Sequence, residues 1–133
     1  MLRKCVFLQY ILLYSFIIAE DKLEYKSKTY TRIKLFENDL FEIVLICMNG
    51  FQSSKIHDHA ENGCLMKVLK GNYVENIYYP KTKNKICSKI RYTNQITYIN
   101  NKIAYHKLLN PFAEKAVSLH IYSPPNHKTE YYN

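Results

Sequence analysis

The sequence predicts an all-β domain, a small antiparallel barrel or jelly roll. Three observations carry that expectation. About eight runs of strand length recur along the chain, each bounded by Asn, Gly or Pro signals. No long amphipathic helix interrupts them. Thirteen Tyr and six Phe stand against three Gly and no Trp, a composition suited to pleated, half-buried surfaces. The 133 residues, 47% of them hydrophobic, suffice for one domain with a real core. They exclude two large domains, a collagen and an acidic disordered tail.

Taken in order, residues 1–21 form an apolar leader: basic "MLRK", then "CVFLQYILLYSFIIA", then Ala19 before Glu20-Asp21. That is signal-peptide grammar, and Gln9 and Ser15 interrupt it too often for a membrane span. An apolar N-terminal helix or a misplaced start codon reads the same way. Residues 22–133 are expected to form the folded domain. "KTYTRIKLF" (28–36) is the first strand, and "FENDL" turns the chain. "LFEIVLICM" (40–48) is an apolar run of the length expected for a strand buried on both faces. Asn49-Gly50 ends it. "KIHDH" (55–59) enters a loop closed by Asn62-Gly63, and "CLMKVLK" (64–70) follows. Gly71-Asn72 is a two-residue hairpin signal with "YVENIYY" (73–79) as the return strand. Pro80 and the Lys-rich stretch to Lys85 make a solvated turn. "ICSKIRY" (86–92), "ITYI" (96–99), "KIAYHKLL" (102–109) and "KAVSLHIY" (115–122) complete the series, which Pro124-Pro125 stops.

The net charge of +8 comes mostly from scattered Lys, with Lys81, Lys83, Lys85 and Lys89 the only dense group. Nucleic-acid binding calls for a basic stripe with Arg forks or aromatic platforms. Neither is present, so the charge is assigned to solubility. The four cysteines, Cys5, Cys47, Cys64 and Cys87, show no spacing of a zinc ribbon or a dithiol redox site. Cys47, inside the apolar run, is expected to be a buried free thiol.

His57-Asp58-His59 carries the chemistry. Residues two apart on an extended chain share a face, so both imidazoles can converge while Asp58 points away. A third His from a neighbouring strand would complete a metal site, although the tripeptide alone reads equally as a surface pair. Gly50 precedes it, Gly71 follows it, and His106 is followed four residues later by Asn110. This pattern resembles the two-part signature of the cupins, double-stranded β-helix barrels with a metal in the mouth. Where many cupins carry a carboxylate ligand shortly after His-x-His, this chain has Cys64. Three neutral His ligands would leave positions on Fe(II) open for substrate and O2.

"YTR" (30–32), "SSKIHDHAENGCLMKVLKG" (53–71) and "EKAVSLHIYSPP" (114–125) are similar to segments of the thiol dioxygenases, specifically the animal-type cysteine dioxygenases of type I. The resemblance runs from about Tyr25 to Pro125 and implies a role for each matching position. His57, His59 and His106 resemble the iron ligands, one Fe(II) per chain. Arg32 resembles the residue that holds the substrate carboxylate, a task suited to a guanidinium fork. Tyr30, two residues earlier, resembles a second substrate-pocket residue. Cys64 and Tyr122 resemble the pair joined by a thioether in animal members. Ser118, His120 and Tyr122 resemble a relay ending on the Tyr hydroxyl, and Ser123-Pro124 the family's cis bond.

The implied activity is oxidation of L-cysteine by O2 to cysteine sulfinate, the step that leads towards taurine. Both oxygen atoms end on sulfur. Two other readings compete: a dioxygenase of another small thiol, a mercapto-acid or cysteamine, and an inactive cupin binding module. Arg32 discriminates the first, since cysteamine has no carboxylate. The resemblance also implies a cytoplasmic monomer that binds neither nucleic acid nor membrane, with secretion the alternative if the leader is a signal peptide. Departures from the family are the apolar leader in place of a helical N-terminal segment, Gly63 where vertebrate members tend to have His, and an early end after "SPP". The C-terminus is therefore expected to be truncated, and the leader to reflect an incomplete gene model.

Overall fold

The computed structural model describes residues 23–133; the leader at 1–21 and Cys5 lie outside the described residues. Among the described residues, ten strands form two five-stranded antiparallel sheets. They are β1 (Thr31–Glu37), β2 (Glu42–Met48), β3 (Ile56–His57), β4 (Cys64–Lys70), β5 (Tyr73–Tyr78), β6 (Lys85–Arg91), β7 (Ile96–Ile99), β8 (Tyr105–Leu109), β9 (Ala116–Tyr122) and β10 (Tyr131–Tyr132). One sheet has the order β1-β2-β9-β4-β7 and the other β10-β3-β8-β5-β6. Apart from the β1–β2 and β5–β6 pairs, sequential strands alternate between two facing sheets, which makes the predicted jelly roll. Among the described residues, no helix is long and apolar enough to cross a membrane.

Strand alternation sorts the first sheet into two faces. Ile43, Leu45, Cys47, Leu65, Val117, Leu119 and Ile121 pack on one, against Leu23, Tyr25, Ile33 and Leu35. Val44, Ile46, Met48, Met66 and Val68 point the other way and meet Tyr73 and Leu108 of the opposite sheet. β2 is therefore buried along its whole length, as the apolar run from Ile43 to Met48 predicts. Each of its fully buried aliphatic side chains contributes about 1.5–3 kcal/mol from area removed from water.

Three expectations are corrected. Gly71-Asn72 does not close a hairpin: β4 and β5 belong to different sheets. Gly71 sits at φ +69, and a Cβ there would lie 2.5 Å from the Lys115 carbonyl oxygen, so the turn passes between the sheets under close backbone contact. The return partner of β5 is β6, reached through the Lys-rich turn. The segment 55–59 is extended only over Ile56–His57. Finally, the double proline does not end the series. Asp58 accepts a hydrogen bond from the Glu130 amide at 2.8 Å and pairs with His127 at 3.1 Å. These contacts seat β10 beside β3, with Tyr131 opposite His57. The Ser123-Pro124 bond is cis.

Candidate metal centre and substrate pocket

The two sheets bring the three histidines together by different routes. His57 on β3 lies directly opposite His106 on β8, and His59 follows two residues after His57 in the loop. Their ligating nitrogens all lie within 4.8 Å of one another. Each ring is fixed from behind through Nδ1. His57 Nδ1 donates to the Lys55 carbonyl at 2.8 Å, His59 Nδ1 to Asn101 Oδ1 at 3.2 Å, and His106 Nδ1 to Glu75 Oε2 at 2.6 Å. In a neutral ring, an Nδ1 that donates leaves Nε2 with a lone pair.

Those lone pairs share one space. His57 Nε2 and His106 Nε2 are 3.0 Å apart, and His59 Nε2 is buried with no hydrogen-bond partner. A buried orphan acceptor is costly, and two facing lone pairs repel unless a cation lies between them. The donor set therefore fits a metal ion: two imidazole nitrogens about 2.1 Å from a common ion and at right angles would be about 3.0 Å apart. Burial lowers the pKa of His57 to about 3 and that of His59 to about 2, and the close approach of the neighbouring His106 ring adds to the effect in each. Both rings stay neutral at physiological pH, as metal ligation requires.

Around this cluster lie the other residues singled out in the sequence. Arg32 is exposed at the mouth, with its guanidinium carbon 5.7 Å from the centroid of the Tyr122 ring. Tyr30, Arg32, His57, His59, His120 and Tyr122 line one pocket. On β9, Ser118 Oγ is 2.7 Å from His120 Nε2, and Tyr122 Oη is 3.3 Å from His120 Nδ1. Burial holds the His120 pKa well below the usual imidazole range, so the ring has one N–H and one lone pair to link its two neighbours. Burial likewise pushes the Tyr122 hydroxyl well above the ordinary tyrosine range, and the neighbouring Cys64 adds to the rise.

Cys64 is the direct cross-strand partner of Tyr122. Its sulfur lies 3.6 Å from His120 Nδ1, and it packs in one cluster with Tyr122, Ile99 and Ala104. Burial raises the pKa of this thiol far above its usual value. Cys47, Cys64 and Cys87 are all unpaired to one another. Asn110, by contrast, faces no metal: it braces the loop after β8 through the Asn49 and Glu114 carbonyls at 3.2 and 2.6 Å.

Four contributors to the site go beyond the residues picked from sequence. Glu75 and Asn101 hold two of the three imidazoles, while His127 and Tyr131 line the pocket from the C-terminal segment. For Glu75 a signal existed, a lone carboxylate at an inward position of an alternating strand. Burial alone would raise its pKa, but the hydrogen bonds and charges of His106 and Arg91 hold it below the ordinary glutamate range.

Comparison with known proteins agrees with this geometry. The family described as "Cysteine dioxygenase type I" matches residues 21–133. Cysteine dioxygenase type 1 of Rattus norvegicus is 39% identical over 94 residues, covering 66% of this chain and 47% of the relative. That of Danio rerio is 36% identical over 104 residues, covering 72% and 52%. The chain thus spans about half the length of the curated relatives it matches. Among solved structures, a Klebsiella pneumoniae protein with a double-stranded β-helix domain superposes with a TM-score of 0.74 at 13% identity, covering 88% of this chain and 96% of the other. A Thermus thermophilus protein gives 0.66 at 18% identity, covering 81% and 97%. These structural likenesses bear on the fold alone. The family match over nearly the whole described length carries the assignment: the chain belongs to the cysteine dioxygenase type I family.

Proposed function

We propose that this chain is a non-haem Fe(II) thiol dioxygenase that converts L-cysteine and O2 to cysteine sulfinate. The observation that supports it most is the convergence of three imidazole Nε2 atoms beside an accessible guanidinium. In this reading His57, His59 and His106 hold the iron. Fe(II), when bound, supplies a redox-active Lewis acid that acidifies a thiol and activates O2. Arg32 takes the substrate carboxylate through charge-assisted hydrogen bonds, and Tyr30 orients the same end of the substrate. The apolar wall of Ile46, Met48 and Leu108 keeps water from the reacting sulfur. Ser118 and His120 steer the Tyr122 hydroxyl towards the bound thiol.

The balance is simple: a thiol and O2 give a sulfinic acid, both oxygens on sulfur, with no external reductant. Cys64 and Tyr122 form a thioether as a separate event. A carbon–sulfur bond joins the ring and Sγ, two hydrogens leave, and O2 accepts the two electrons. Fe(II) and unpaired thiols suit a reducing compartment, so the cytoplasm is the expected location.

The test is turnover of the Fe(II)-loaded chain with cysteine, cysteamine and a carboxylate-bearing mercapto-acid, following O2 uptake and sulfinate together. Equal molar uptake and product, with cysteine preferred, supports the proposal. Preference for another thiol would reassign the substrate, and no turnover on any would leave a binding module.

A further inference from the structure

The three candidate ligands are not held alike. His57 rests on a backbone carbonyl and His59 on an amide oxygen, both neutral, whereas His106 rests on a carboxylate. That contact, at 2.6 Å, is the shortest of the three. Glu75 divides its oxygens: Oε2 accepts from His106 Nδ1, while Oε1 accepts from Arg91 Nε at 2.9 Å and Nη2 at 2.7 Å. The side chains of His106, Glu75 and Arg91 are 4%, 3% and 19% exposed.

Strand register builds this row. His57 is opposite His106, and Ile77, opposite His106, lies two residues from Glu75 on β5. Tyr73, two residues from Glu75 in the other direction, is opposite Arg91 on β6. His106, Glu75 and Arg91 are therefore successive diagonal neighbours on one face of the sheet. They run from the histidine cluster to the edge strand. An ion pair serving only the β5–β6 hairpin would not need the second carboxylate oxygen turned onto a ligand ring.

We infer that Glu75 and Arg91 are positioning residues that set the electron richness of the metal site through His106. This rests on the reading of the three histidines as an iron site. A carboxylate behind an imidazole fixes its tautomer and orientation and raises its donor strength. Glu75 thus makes His106 the strongest of the three donors. Arg91, sharing the same carboxylate, draws charge away from the ring and limits the effect. The two residues act with opposite signs, which a purely structural ion pair would not do.

The experiment uses the full chain with Fe(II) alone, no thiol, measuring affinity by anaerobic titration and the Fe(III)/Fe(II) midpoint potential by spectroelectrochemistry. Glu75→Gln keeps the shape and removes the charge. It should weaken Fe(II) binding about 10–100-fold and raise the potential, because the oxidised ion loses more from a poorer donor. Arg91→Met frees the carboxylate to polarise His106 and should lower the potential, with Fe(II) affinity equal to or above that of the unmodified chain. Should Glu75→Gln fail to fold, Arg91→Met decides alone, a lowered potential supporting the inference and an unchanged one overturning it. Shifts of the same sign in both variants, or no shift in either, would overturn it while leaving the iron site standing. Failure of the unmodified chain to bind Fe(II) would overturn both.

Discussion

Replacing Arg32 with alanine removes the one guanidinium that lines the pocket among the described residues and leaves the three imidazoles and the β9 row in place. A hydrogen bond to a charged partner is worth about 1.5–3 kcal/mol. Arg32 is solvent-exposed, so screening favours the low end of that range. About 1.5 kcal/mol corresponds to roughly tenfold in kcat/KM, since each 1.36 kcal/mol is a factor of ten in rate. The loss should fall on substrates with a carboxylate. Steady-state O2 uptake by Arg32→Ala should therefore show kcat/KM for cysteine down about tenfold or more, with cysteamine changed less than about threefold. Arg32 also lies against the Tyr122 ring, so melting temperature and Fe(II) content should be measured on the same sample. Equal losses on both thiols, at unchanged iron content, would refute the carboxylate assignment.

The Cys64–Tyr122 pairing predicts a thioether that accumulates when the chain is incubated with Fe(II), O2 and cysteine. Intact mass should fall by two hydrogens in the parent chain and stay constant in Cys64→Ser, which should turn over more slowly while keeping measurable activity. A mass unchanged after many turnovers would remove the cross-link from the account. For the metal-free protein, the folded pKa values of His57 and His59, about 3 and about 2, lie below that of a free imidazole. The unfolded chain then binds more protons below about pH 6.5, so stability is full above that pH and falls towards pH 3, by up to about 1.4 kcal/mol per pH unit for each ring. Urea midpoints measured from pH 7 to 4 should fall, and a flat profile in a His57→Phe, His59→Phe variant would assign the slope to these rings. A flat profile in the parent chain would contradict their burial as neutral groups.

Much of this molecule was legible in its sequence because strand periodicity is local. The apolar run of β2 and the alternation of Ser118, His120 and Tyr122 each declare a face without reference to anything distant. The His57-Asp58-His59 spacing likewise placed two imidazoles together, although His59 reaches the site from a loop, not from a strand. Pairing between elements was less legible. Gly71-Asn72 has the composition of a hairpin, but turn chemistry does not state which sheet the next strand joins. Here close contact with Lys115 and Ala116 sends β5 across the domain. The supports of the histidines were also hidden, since Glu75 and His106 are brought together by register across 31 residues. The short strand β10 was hidden too, since Asp58 helps to seat it through a contact across 72 residues.

The central claim is that three histidines hold an iron that places both atoms of O2 on a thiol. The most direct measurement is turnover of the Fe(II)-loaded chain with L-cysteine under isotopically heavy O2, with the product analysed by mass spectrometry. The account predicts cysteine sulfinate carrying two heavy oxygen atoms, and none from a His106→Ala chain treated identically. Sulfinate with one or no heavy oxygen, or the same yield from His106→Ala, would contradict it.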